Sequence, residues 1–306
     1  MNFAPIVLFV FNRLSHTQQT INALKKNTLS NLSDLIIYSD APKTQEQTQS
    51  VQQVRDYIKQ VNGFKTVTIV EREINFGLAK SIIEGVTEVC EKYGRIIVLE
   101  DDLETSPYFL QYMNDALNFY ENQEQVMSVA GYTFPIESAG LNETFFLKVL
   151  GCWGWATWGR AWKFFEKNPK KLIEAYTKAQ IYNFNLENSY DFWAQVKQNE
   201  NGAINTWAIF WYASMFQKEG LCLYPLTSMV NNIGHDDTGI HCSTTDEFHT
   251  DLGQHTITNF ESNIIENMLA RARTSEFLNS TKPSFLAKCS VAFKNKIYYM
   301  ISYIRS

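Results

Sequence analysis

Four short apolar runs constrain this chain more than any other feature: Ile6–Phe11 (IVLFVF), Leu35–Tyr38 (LIIY), Thr66–Val70 (TVTIV) and Ile96–Leu99 (IIVL). Short runs this rich in β-branched residues read as strands buried on both faces of a parallel sheet. The intervals between them have helical character. One helix is expected from a cap at Ser15 to about Lys26, with Thr17, Ile21 and Leu24 on one side. A polar helix is expected over about Glu46–Val61, and a third over Gly77–Tyr93, with Leu78, Ile82, Val86 and Val89 in a stripe. The alternation predicts an α/β fold with right-handed crossovers. Ligands of such sheets sit at the carboxyl ends of the strands. Asp40, the segment 71–75 and Glu100-Asp101-Asp102 all fall at such ends.

The acidic triplet is the strongest of these signals. Mg²⁺ and Mn²⁺ prefer carboxylate oxygens, often take only one or two from the protein, and fill the rest with water and substrate phosphate. The bland alternative is a solvated acidic turn. Asp40 precedes Pro42, so an Asx turn competes with a carboxylate that accepts a hydrogen bond from a base or ribose. In Arg72-Glu73-Ile74-Asn75-Phe76-Gly77, the glycine would let a phosphate approach a helix N-terminus, while the plain alternative is a loop capped by Asn75.

The second half of the chain is less regular and carries all seven tryptophans. Gly151–Trp162 (GCWGWATWGRAW) does not place its tryptophans on one helical face. Aromatic rings there would either fill a core or stack on the apolar faces of sugars. Asn232–Cys242 (NNIGHDDTGIHC) gathers glycines, acids and two histidines in a loop, without the ligand spacing of a zinc site.

The bulk numbers exclude several classes. A chain of 306 residues builds one large α/β domain or two small ones, and 45% hydrophobic content excludes disorder. A net charge of −5, with no basic stripe in the first 260 positions, excludes broad nucleic-acid binding. Five scattered cysteines without C-x-x-C spacing read as reduced thiols of a cytoplasmic protein. The opening residues lack the basic region of a signal peptide, and no apolar stretch is long enough to span a membrane. Residues 282–306 interleave Lys282, Lys288, Lys294, Lys296 and Arg305 with apolar side chains and hold no acid. They would pack on the domain as a helix or lie on an anionic membrane surface.

The ordered set Phe11-Asn12-Arg13, Tyr38-Ser39-Asp40, Asn75-Phe76-Gly77-Leu78 and Val98–Leu103 resembles the donor half of GT-A-fold glycosyltransferases, nearest the N-acetylglucosaminyltransferase I branch. The segments Gly151–Trp162, Trp207–Trp211, Gly220–Pro225 and Asn232–His241 extend the resemblance to bacterial sugar transferases of surface-polysaccharide synthesis. The resemblance implies a mostly parallel central sheet flanked by helices, and a domain over 1–260 with a donor half (1–125), an acceptor half (126–260) and a C-terminal tail (261–306). It implies a UDP-sugar or other nucleotide-sugar donor, a glycan or lipid-linked glycan acceptor, and Mn²⁺ or Mg²⁺. Asp102 would be the direct metal ligand and His241 the late histidine near it. Glu100 and Asp101 would shape the ribose and diphosphate site. Asp40 would hold the base, with Asn12, Arg13, Arg72, Asn75 and Gly77 around the nucleotide. Tyr132, Trp153, Trp155 and Trp158 would hold the acceptor. Relatives often place a catalytic Asp between two tryptophans, but Trp207-Ala208-Ile209-Phe210-Trp211 has no carboxylate. Asp191 is the first substitute base, then Asp236 and Asp237. Two rivals stand beside this reading. A sugar nucleotidyltransferase would need a glycine-rich loop after the first strand, which Phe11–Ser15 lacks. A degenerate domain that binds glycans without catalysis would explain Ala208.

Overall fold

The structure is a computed structural model that describes residues 3–234 and 247–282. The four apolar runs form β1 (Ile6–Val10), β2 (Asp34–Ser39), β3 (Thr66–Glu71) and β4 (Arg95–Glu100), all parallel. Between them run α1 (Leu14–Lys25), α2 (Thr48–Ile58) and α3 (Gly77–Tyr93). Helix α1 starts one residue before Ser15, and no side chain caps it; the Arg13 carbonyl instead accepts from both the backbone N–H and the hydroxyl of Thr17. The expected 46–61 helix is a 3₁₀ turn (Gln45–Gln47) followed by α2.

After β4 come β5 (Leu103–Thr105), α4 (Phe109–Phe119), β6 (Val126–Ala130), β7 (Thr144–Leu147) and β8 (Trp155–Trp158). Helices α5 (Gly159–Trp162), α6 (Pro169–Ala175), α7 (Lys178–Phe184), α8 (Phe192–Glu200) and α9 (Ala208–Gln217) follow. Strands β9 (Leu221–Pro225) and β10 (Val230–Asn232) and helix α10 (Met268–Ser280) complete the described fold. The main sheet has the order β3-β2-β1-β4-β8-β6-β9-β7. Only β8 and β7 oppose the common direction, so the sheet is mostly parallel and helices flank it, as expected.

Alternation along each strand sorts side chains into two layers. Ile6, Leu8, Val10, Leu35, Ile37, Ile97 and Leu99 face α1, α2 and α4. Val7, Phe9, Ile36, Tyr38, Ile96 and Val98 face α3, α5 and α9. A third cluster, with Phe184, Trp193, Phe210 and Tyr212, joins α6 to α9. The C-terminal α10 packs against β7, where the Asn267 N–H donates to the Phe146 carbonyl. Among the described residues, no helix is long and apolar enough to cross a membrane.

Strand β8 accounts for two of the tryptophans. It lies antiparallel between β4 and β6, with Trp155 in one apolar layer and Trp158 in the other. Trp155 is 1% exposed and stacks on Trp207, with ring centroids 5.1 Å apart. Trp158 donates its indole N–H to the Leu117 carbonyl. Both are core residues, and their expected role on the acceptor is corrected accordingly. A sheet strand buried on both faces cannot present its rings to a cleft.

Candidate active site

Because β3, β2, β1 and β4 are adjacent and parallel, the residues that follow them line one edge of the sheet. Asn12 and Arg13 follow β1, Asp40 follows β2, Arg72 follows β3, and Asp101-Asp102 follow β4. Asn12 is half-buried in the turn beside Arg13.

The acidic turn is held from three sides. From α1, the Thr20 hydroxyl donates to the Asp101 carbonyl at 2.8 Å and accepts the Leu103 N–H at 3.1 Å. From the β1–α1 junction, the Arg13 guanidinium bonds the Asp101 carboxylate and reaches Oδ2 of Asp102 at 2.8 Å. From the second half, β10 pairs antiparallel with β5, and the Ile233 N–H donates to the Asp102 carbonyl at 2.9 Å. Gly234 then lies so close to Asp102 that a Cβ there would force the carboxylate to shift.

This packing makes the turn electrostatically expensive. Asp101 is 5% exposed, and its Oδ2 has no hydrogen-bond partner; Nη1 of Arg13 is likewise buried and unpartnered. Burial, joined by repulsion from Asp102 and Asp101, pushes the Glu100 carboxyl up to about 8, with Arg13 pulling the other way. Burial pushes Asp101 up to about 6 against the pull of Arg13 and His16. Burial opposes the charge on Arg13, but the two aspartates outweigh it and raise its pKa. Desolvation and then the charges of Glu100 and Asp102 push the Cys152 thiol up to about 12, which brings the Gly151–Gly154 segment into the field of the acidic turn.

This donor set fits Mg²⁺ or Mn²⁺. It offers hard oxygens, an unpartnered buried carboxylate oxygen on Asp101, and a half-buried Asp102 at the strand end. Among the described residues, no group of three or more His, Cys, Asp or Glu is placed to hold a metal. His241, Asp236 and Asp237 lie outside the described residues.

Other expected residues have different roles. The Asp40 carboxylate accepts four hydrogen bonds: from the Ala41 and Phe76 N–H on one oxygen, and from the Gly77 N–H and the Asn75 amide on the other. It therefore caps α3 from a distance. The expectation that Asp40 accepts from a nucleobase is corrected, since its lone pairs are already taken. The same bonds correct the phosphate role of Gly77. Its N–H is occupied, and glycine is required there by φ of +69°. Asn75 is not the cap of α3; its amide bridges Asp40 and the Ala41 carbonyl.

The Arg72 guanidinium lies 5.1 Å from the Tyr38 ring centre and 4.6 Å from that of Phe76, with Nε and one terminal nitrogen unpartnered. It remains a candidate for an anionic or planar ligand. Asp191 caps α8, accepting from the Ala194 N–H and the Asn185 amide, which corrects its role as base: its bonds serve an exposed helix start, and none reaches the acidic turn. The Tyr132 hydroxyl donates to the Phe248 carbonyl, which occupies its one proton and leaves it only an accepting role. Trp153 is half-buried, edge-on to Tyr132 at 4.5 Å, and of the three expected tryptophans it alone retains exposed surface for a sugar.

Sequence reasoning missed Thr20, His16 and Gly234. The first two had a visible signal. Arg13, His16 and Thr20 recur at helical spacing, as polar residues on a face that should have been apolar.

Residues 1–135, less than half of the 306, match the sequence model described as the GNT-I family. No curated protein matches the chain. Among solved structures, it is similar to S. aureus TarS (TM-score 0.31, 13% identity, covering 46% of this chain and 24% of that one). It is also similar to TarS 1-349 from S. aureus (0.40, 10%, 74% and 59%). A third is the mannosyltransferase PcManGT from Pyrobaculum calidifontis in complex with GDP-Man and Mn²⁺ (0.38, 8%, 72% and 70%). The chain thus spans about a quarter of the first of these and less than two thirds of the second.

Proposed function

We propose that this chain is a GT-A-type glycosyltransferase that moves a sugar from a nucleoside-diphosphate donor to a hydroxyl of a glycan. One observation carries the reading. The acidic turn after β4, with its unpartnered Asp101 oxygen and its Arg13 counter-charge, lies inside the segment that matches the GNT-I family. In the finer proposal the donor is a uridine nucleotide, the transfer inverts, and the acceptor is a lipid-linked or growing bacterial surface polysaccharide.

Asp102 and Asp101 would hold Mn²⁺ or Mg²⁺, which supplies charge neutralisation for a departing diphosphate. Thr20 fixes the main chain of the turn, so the carboxylates are positioned before substrate arrives. Arg72, between its two rings, is placed to meet the nucleotide from the β3 side. Trp153 offers a face to the acceptor sugar. In the transfer, the acceptor oxygen bonds to the anomeric carbon, the bond from that carbon to the diphosphate oxygen breaks, and the hydroxyl proton passes to a carboxylate. With Asp191 engaged in capping, Asp236 and Asp237, the next carboxylates in the sequence reading, are the bases proposed here.

The test is Asp102→Asn, assayed for donor hydrolysis or transfer with a panel of nucleotide sugars and Mn²⁺. Activity should fall at least about a hundredfold, more than is lost when a group that only orients a metal ligand is removed, while circular dichroism shows the variant still folded. A variant as active as the parent overturns the proposal. A wild type that binds glycans but turns over no donor would support the degenerate reading that Ala208 suggests.

A further inference from the structure

Arg13 occupies an unusual place. Its guanidinium bonds both carboxylates of the turn, although its side chain is only 20% exposed and those of Asp101 and Asp102 are 8% and 13% exposed. It bridges the pair with a permanent charge, while His16 on the same helix also acts on Asp101. A divalent ion on the same carboxylates would sit within a few ångströms of a fixed positive charge that water screens poorly. The guanidinium cannot relieve this by losing its proton, because arginine stays charged in proteins. Nor does the helix loosen readily: the Arg13 backbone starts α1 and its carbonyl is held twice by Thr17.

We propose that Arg13 is a resident counter-cation that closes the acidic turn to a lone divalent metal and makes metal entry conditional on an accompanying nucleoside diphosphate. The proposal rests on the metal-site reading above. A diphosphate brings negative charge that offsets both cations. It also offers oxygens to the donors of Arg13 that the carboxylates leave unused, since Nη1 has no partner. Metal and nucleotide then bind with positive coupling, which must be reciprocal.

The experiment titrates MnCl₂ into the full chain, with and without uridine or guanosine diphosphate. Free Mn²⁺ is followed by its electron paramagnetic resonance signal. Wild type should bind Mn²⁺ weakly alone and at least about tenfold more tightly with the matching diphosphate, within the usual range of coupled sites. Arg13→Met should bind Mn²⁺ alone at least about tenfold more tightly than wild type, with the coupling reduced. Arg13→Lys keeps the charge and should behave as wild type. Wild type that binds Mn²⁺ equally well with and without the diphosphate overturns the proposal without recourse to any variant. So does a folded Arg13→Met that binds lone Mn²⁺ no better than wild type. No Mn²⁺ binding to wild type or Arg13→Met with either nucleotide overturns the metal site and this proposal together.

Discussion

Strands β1 to β4 are made mainly of Ile, Val and Leu and lead into charged side chains. Strands β7 to β9 carry Phe, Tyr and Trp, and lead into loops and helices that bury yet more aromatic rings. In the first half, polar groups collect at the carboxyl edge and bond one another: Arg13 with Asp101 and Asp102, Asp40 with the start of α3. In the second half, polar atoms of the large side chains mostly meet backbone carbonyls, as Trp158 meets Leu117 and Tyr212 meets Phe184. Substitutions in the second half should therefore act mainly on stability, and those at the first half's edge mainly on binding and titration.

The strongest way to sharpen this contrast is Trp155→Ala. Removing a ring packed between β4, β6 and Trp207 should cost about 3–5 kcal/mol in urea melts, whereas Trp153→Ala should change the melt little and weaken acceptor binding. Comparable losses for the two would erase the distinction between core and cleft tryptophans. Next comes Asp40→Ala, an edge residue predicted to behave like a core one. It strands the N–H groups of Ala41, Phe76 and Gly77, and should cost about 1–3 kcal/mol in the same melts. A neutral result would return Asp40 to the nucleotide site.

A smaller effect concerns pH. Glu100 and Asp101 have folded pKa values of about 8 and about 6, above their ordinary 4.5 and 3.8. The folded state therefore binds more protons than the unfolded chain across that interval, so the metal-free protein should lose stability as pH rises from about 4 to about 8. Mn²⁺ with diphosphate should flatten the slope, because metal binding releases those protons. A melting temperature that rises over this range in metal-free buffer would contradict the burial of the acidic turn. Asp191→Ala should do least, about 1 kcal/mol for a lost cap, with turnover intact. Abolished turnover in a folded Asp191→Ala would restore it as the base.

The halves differed in legibility for the same physical reason. Strands buried on both faces and helices with one apolar stripe announce themselves, and the predicted α3, Gly77–Tyr93, matched to the residue. Strand β8 did not, because Trp-Ala-Thr-Trp after a glycine-rich stretch reads equally as loop or pocket. The acidic turn was readable as a strand end, but its clamp was not: Arg13 and Asp101 are 88 residues apart. The roles of Asp40 and Asp191 depend on which backbone N–H groups lie nearby, and only the folded chain supplies that.

Strand β8 also sets an order of assembly. It separates β4 from β6, so during synthesis β1 to β4 can pair among themselves as soon as they exist, while β6 has no neighbour until residue 155 and beyond has been made. A nascent chain that has passed β6 but not β8 exposes the unpaired edge of β4, a template for wrong pairing. The interval between roughly these two strands is where a slow ribosome, or a chaperone, would decide between a completed sheet and an aggregate.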